Sequence, residues 1–465
     1  MNITIEIPDS IDHREINYTL NVIFNEFLGI DFVTRISNDK RITVFAADDC
    51  TQSVSFPAIF FCQIKNNWLQ KETLPKYPIA FFDTAKLPVQ PLQLKGISVP
   101  VLFGEPSCSY NNQEITFNFD LFGSIFFMLS RYEEACAETL DAHDRVTGKQ
   151  SIAAKNHFLH RPIVNELLEI LWCSMCHFWP GLGRKQRQFT IRPSCDIDHL
   201  RWPWGYNPLK IMLKLAKNLL IDRSFATFSS SALAYFHILR KGYAKDPYNT
   251  FDYIMTVCNQ NNLTCTFFFL CGRTDNKFDG SYNVDDPLLE SVLSNIVTKK
   301  HNLGLHGSYH EFNSETLAKR EITLFREKLH QTGVEQDGLK NRQHYLRWDP
   351  RLTPGILEKQ GVTSDHSLSY ADIAGFRTGC CYPYPLYDLG ERKSLKLKEF
   401  PLIVMECSVL DAHYMGLKDP IQAINCINQL KEQCRKYHGN LEILWHNTRL
   451  MNETDRRIFE TAISR

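Results

Sequence analysis

The chain has 465 residues, with 52 Lys and Arg against 52 Asp and Glu, so its formal net charge is zero. That length allows two or three domains and a large core. The balanced charge and the absence of a basic tract give no support to nucleic-acid binding or to an anionic membrane surface.

The start, Met1 to Ser10, alternates like a strand and has no positive region followed by an apolar one. It therefore does not read as a signal peptide, and a cytoplasmic protein is expected. No apolar run reaches the length of a membrane span, and the longest candidate lies near Leu121 to Leu129. The 15 cysteines are scattered through apolar contexts and are odd in number, which suggests buried, reduced thiols. The Cys173-x-x-Cys176 pair sits inside an apolar helical pattern without a second pair, so it reads as packing.

In chain order, Val22 to Leu28 has helical spacing and Arg41 to Ala46 reads as a strand. Val54 to Phe61 is β-rich, and Pro75 to Pro91 reads as loop. Glu114 to Asp120 alternates as a strand, and Leu121 to Glu134 reads as an amphipathic helix. A charged loop, Asp144 to Lys149, precedes another helix from Arg161 to His177. This first region, 1–180, reads as a smaller α/β domain without a catalytic constellation. The Gly-rich, basic stretch 181–187 is the best linker in the chain.

The second domain, 188–465, opens with an apolar strand ending in Asp196-Ile-Asp198. A strand repeats every two residues, so both carboxylates project from the same side. Close like charges repel unless a cation offsets them. Such a pair suits a site where one carboxylate holds a metal and the other accepts a proton. Pro208 to Ile221 and Ser231 to Lys241 read as helices of a long insertion, and a further helix runs up to Asn261. Leu263 to Leu270 reads as a strand buried on both faces. The helix Pro287 to Lys300, the strand His301 to His306, the helices Glu315 to Gln331 and Pro354 to Gln360, and the strand Leu441 to Trp445 follow. This alternation predicts a barrel-like or doubly wound α/β domain. His306-Gly-Ser-Tyr-His310 has metal-ligand spacing, and two imidazoles with one carboxylate leave open positions for water and substrate.

Taken together, these motifs resemble the polysaccharide deacetylase (NodB homology) family over about Phe189 to Leu450. The matching stretches are Asp196-Ile-Asp198, Thr264 to Leu270, His301 to His310, Leu346-Arg-Trp-Asp-Pro350, Asp365-His-Ser-Leu368 and Leu441 to His446. The resemblance implies a deformed (β/α) barrel, preceded here by the smaller α/β domain. It implies metal-dependent hydrolysis of an N- or O-acetyl group on a carbohydrate, a cytoplasmic sugar or polysaccharide-biosynthesis intermediate. It assigns Asp198, His306 and His310 to one divalent ion, zinc foremost. Asp196 becomes the general base, Arg347 its electrostatic support, His446 the general acid, and Asp365 the residue that holds His446. Two departures stand out. Arg347-Trp-Asp-Pro350 replaces the family's Arg-x-Pro, and Gly307 stands where a Ser or Thr often follows the first histidine.

Trp348, Arg377 and Tyr382 are weaker candidates for substrate contact. His199, His344, His366 and His413 read as hydrogen-bonded structural residues. Two other functions use the same barrel: an amidohydrolase acting on a non-acetyl amide, and a catalytically silent sugar-binding protein. The presence of both Asp196 and His446 speaks against the second, because binding alone needs neither base nor acid.

Overall fold

The computed structural model describes residues 2–47 and 49–464. Ile3, Ile5 and Ile7 alternate with more polar residues and are buried together in β1 (Ile3–Pro8). Around it lie β2 (Phe32–Ser37), β3 (Arg41–Ala46), β4 (Asp49–Pro57) and, further along the chain, the small hairpin β5 (Ala80–Asp83) and β6 (Ser98–Val101). With β7 (Gly104–Tyr110) and β8 (Glu114–Phe119), the larger sheet has the order β2-β1-β3-β4-β8-β7. Two differences from expectation have local causes. The β-rich run after Val54 ends at Pro57, and Ile59–Ile64 turns helical. Leu121–Leu129 is buried at every position instead of being amphipathic. It packs between the two units: Phe126 meets Tyr18 at 5.9 Å and Tyr387 at 5.1 Å between ring centroids. A helix covered on all sides has no solvent face to mark.

The second unit is built on a nine-stranded sheet. Its strands are β9 (Thr190–Ile197), β10 (Thr266–Leu270), β11 (Asn302–Gly307), β12 (Lys340–Gln343), β13 (Ser364–Asp365), β14 (Tyr384–Asp388), β15 (Lys393–Glu399), β16 (Leu402–Met405) and β17 (Asn440–His446). Their order is β14-β15-β13-β12-β11-β10-β9-β17-β16, parallel throughout except at β14. Buried on both faces, β10 is the continuous apolar run Thr-Phe-Phe-Phe-Leu. The sheet curls: Arg342 of β12 reaches over to Ser194 of β9, three strands away, at 3.0 Å. Its ends, β14 and β16, do not pair, so the barrel is open.

The units share one continuous apolar core. Buried polar contacts fix them further. Glu134 pairs with Arg377 at 2.6 Å and with Arg131 at 2.9 Å, and Tyr387 donates to Glu15 at 2.7 Å. The stretch 181–187 lacks regular structure but is tied down: Lys185 N donates to Leu28 O, and Arg184 pairs with Glu169. The described cysteines are free thiols.

Candidate active site

Parallel strands bring their carboxyl ends to one side of a sheet, where ligand sites gather. His446 stands in register with Asp196, and His306 with Arg342. Asp198 lies just past the end of β9 and His344 just past β12. The ligand atoms of Asp198, His306 and His344 lie within 4.8 Å of one another. Asp198 Oδ1 is 3.5 Å from His306 Nε2 and 3.4 Å from His344 Nε2. Donors on a tetrahedral zinc, bonded at about 2.0 Å, stand about 3.3 Å apart.

The remaining ring nitrogens are already committed. His306 Nδ1 donates to the Arg342 carbonyl at 2.9 Å, and His344 Nδ1 donates to Asp279 at 3.0 Å. Each neutral ring therefore turns its Nε2 toward the cluster, and at His344, whose proton is held by Asp198 and Asp279, a bound ion has to displace that proton. Asp198 Oδ1 and His306 Nε2 are buried without a hydrogen-bond partner. An orphaned carboxylate oxygen and an imidazole nitrogen facing each other fit a divalent cation. Burial opposes the charge on Asp198, but the adjacent His344 and His306 hold its carboxyl well below the usual range. Burial likewise opposes protonation of His344, yet the Asp198 and Asp279 carboxylates raise it to about 9.

Asp196 flanks this cluster. Its Oδ2 is 3.7 Å from His306 Nε2 and 3.7 Å from Arg342 Nη1, and its Oδ1 has no partner. His446 Nε2 lies 3.8 Å from the other oxygen of Asp198. Behind it, His446 Nδ1 meets Glu406 at 2.5 Å. Burial disfavours the imidazolium, but the Glu406 carboxylate outweighs it and lifts His446 well above its ordinary value. The same pairing lowers Glu406 against its own burial.

Four expected site residues, Asp196, Asp198, His306 and His446, thus converge, and six do not. His310 is half exposed, 3.6 Å from Asp275 and outside the cluster, because β11 ends at Gly307 and the chain turns away. His344, expected to be structural, stands in its place. Arg347 does not reach Asp196. It donates to the carbonyls of Tyr309 at 2.5 Å and His143 at 2.9 Å and pairs with Asp144. Arg342 is the guanidinium beside Asp196. Asp365 accepts from Asn341 and Ser367 and does not hold His446, the place taken by Glu406. Trp348 is buried in the core. Arg377 is spent on Glu134 and the Ser369 carbonyl, and the Tyr382 hydroxyl donates to the Tyr437 carbonyl, so none of these three is free for substrate. The missed residues carried one signal: His344 and Glu406 each directly follow a strand of the parallel sheet, the position already marked by Asp198.

The site opens into a cavity of about 270 Å³. Tyr345, Leu346, Met405 and Leu444 give it an apolar wall, and His413, Tyr414 and Arg449 line it further. A larger cavity, of about 1010 Å³, lies at the other end of the strands near Thr190, Thr266 and Lys340 and contains none of these groups. The first unit contributes directly to the site. Arg145, paired with Asp141, lines the cavity and donates to the Tyr345 carbonyl at 2.7 Å. Tyr345 and Leu346 are consecutive left-handed residues, at φ 59° and 55°, directly after His344. Such backbone costs about 1–3 kcal/mol per residue and persists only when its surroundings hold it. The charged loop of the first unit is one such restraint.

Residues 3–180 match a family of unknown function, DUF7033. No curated protein sequence matches the chain. Among solved structures, the chain is similar to a "putative polysaccharide deacetylase" from Mycobacterium smegmatis. That likeness has 18% identity and a TM-score of 0.38, and covers 60% of this chain and 84% of the other. It is also similar to the Puue allantoinase, at 11% identity and a TM-score of 0.36, over 60% of this chain and 83% of the other.

Proposed function

We propose that the chain is a metal-dependent hydrolase that removes an acetyl group, N- or O-linked, from a carbohydrate. The observation that carries this is the convergence of an Asp198–His306–His344 donor set with Asp196 on one flank and the Glu406-backed His446 on the other. A divalent ion bound to that set supplies Lewis acidity, polarising an acyl carbonyl and acidifying the attacking water. Zinc suits two imidazoles and one carboxylate.

The chain's own residues divide the remaining work. Asp196 Oδ1, free of other bonds, accepts the proton of the attacking water, while Arg342 stabilises the carboxylate. His446 starts out protonated and delivers its Nε2 proton to the leaving amine or alkoxide. Glu406 holds the ring and its charge. The acid keeps its proton beside the base because the Glu406 carboxylate raises His446. The apolar wall at Leu346, Met405 and Leu444 suits a small acyl group, and Tyr345 and Tyr414 offer ring faces to a sugar.

An amidohydrolase acting on a non-acetyl amide would use the same residues, and substrate profiling separates the two. The test is acetate release from N- and O-acetylated sugars by the zinc-loaded protein, beside Asp196→Asn. The reading expects acetate from the parent and a loss of kcat of about 10²–10⁴-fold in the variant, with metal retained. Equal rates in both would remove Asp196 from the chemistry. Turnover of small non-sugar amides alone would favour the second reading.

A further inference from the structure

The insertion after Asp198 folds as a helical hairpin, Pro208–Leu220 and Phe225–Lys241, and its sequence has more apolar surface than its packing uses. The inner face of the first helix, Ile211 and Leu215, packs with Ile238, Ala234, Trp202 and Trp204 in a small cluster apart from the main core. Leu209, Met212, Leu213 and Leu220 form a second stripe on the same helix and are exposed. The second helix exposes Leu233, Phe236 and Leu239. The tip is the most apolar part: Leu220, Ile221 and Phe225 are 76%, 72% and 74% exposed. Hydrogen bonds at this end, from Asn218 to Thr227 and Ser231, stay within the hairpin.

Charge decides what covers this surface. Lys210, Lys214 and Lys217 lie along one edge of the exposed stripe, and Arg223, Arg240 and Lys241 add to them, against Asp222 alone between Asn207 and Lys241. Among the described residues, none of these six cations has a carboxylate partner. The chain as a whole is neutral, so the charge is concentrated here. An apolar stripe edged with unpaired lysines, leading to an apolar tip, complements an anionic lipid surface: side chains enter the acyl boundary while ammonium groups meet headgroups. Helices of 13 and 17 residues are too short to span a bilayer and suit lying in its surface. A second copy of the chain would set like charges against each other.

We infer that this hairpin docks the protein peripherally on an anionic bilayer. The hairpin is rooted beside the candidate site. Asn447, next to His446, donates to the carbonyls of His199 at 2.9 Å and Tyr248 at 3.0 Å, at the two feet of the insertion. The inference stands apart from the catalytic reading, since neither metal nor acid enters it.

Flotation of the full chain with phosphatidylglycerol-containing vesicles, beside pure phosphatidylcholine vesicles, tests it. Binding is expected only to the anionic vesicles and falls as salt is raised to about 0.5 M. A Leu220→Ser/Ile221→Ser/Phe225→Ser variant and a Lys210→Glu/Lys214→Glu/Lys217→Glu variant should each weaken it by about tenfold or more. Five of the six positions are exposed and Lys214 is half-buried over Trp204, and far-UV circular dichroism checks the fold. Should either variant misfold, Phe225→Trp serves instead, its added fluorescence being quenched by acyl-brominated anionic lipid. Absence of parent binding to anionic vesicles, undiminished binding by the folded variants, or no quenching at Trp-substituted 225 would overturn the inference. So would a concentration-dependent dimer that the apolar variant abolishes, which would assign the face to a second copy.

Discussion

Glu406 and His446 form a buried pair whose charges sustain each other, with the carboxylate lowered and the imidazole raised. An acid held this way stays protonated through neutral pH, and activity falls only as pH rises through the raised value. Glu406→Gln removes the charge but keeps the hydrogen-bond acceptor. Burial, which lowers His446, then prevails, and the alkaline limb of kcat should move down by about one pH unit or more. The pH profile of kcat reads this directly, and an unmoved limb would mean that His446 is not the acid. At this scale the sequence was informative where chemistry and strand ends coincide in one short stretch, as at Asp196, Asp198, His306 and His446. It was silent on Arg342 and Glu406, and it read His344 as structural. Their roles depend on which strands lie side by side, and that order, β12-β11-β10-β9-β17-β16, is not written in any local pattern. His310, assigned to the ion by the family resemblance, lies outside the cluster because the chain turns away after β11 ends at Gly307.

Elements position the cluster as much as its ligands do. Gly280 lies against the end of β9, where a Cβ would stand 1.8 Å from the Asp198 carbonyl oxygen. Gly280→Ala must displace that backbone. Zinc affinity, measured by titration calorimetry, should fall by about 10–100-fold, the size of a disturbed ligand support. Unchanged affinity would show that Asp198 is not held by this contact. Most helices and the apolar strands were legible from periodicity. The short strands β13 and β16 were not, since two to four residues carry no period. The basic character of the hairpin escaped a scan for charge runs because Lys210, Lys214 and Lys217 are spaced by helical turns and gather only once folded.

At the scale of the molecule, the two units behave as one body around the site. Glu134 of the first unit lies between Arg131 and Arg377, fully enclosed. Burial alone would raise its pKa, but the two guanidinium groups outweigh that and hold it at about 2. Its contribution to stability is therefore present above the ordinary carboxylate value of 4.5 and is lost as pH falls toward 2. Glu134→Gln leaves buried Arg377 without its carboxylate and Arg131 with only Glu133, 3.8 Å away, and should cost about 3–5 kcal/mol at pH 7, by urea unfolding. The gap between variant and parent should narrow as the pH is lowered through that window. A pH-independent gap would locate the loss in packing rather than charge. The sequence suggested two units but not their fusion, because Arg145 and Glu134 give no local sign that their partners lie about 200 residues away.

Elemental analysis of the purified parent beside His344→Ala and His310→Ala decides whether the ion sits on the Asp198–His306–His344 set. About one divalent ion per chain is expected in the parent and in His310→Ala, with its loss in His344→Ala. Loss in His310→Ala with retention in His344→Ala, or a parent that takes up no ion from excess zinc, would contradict that placement.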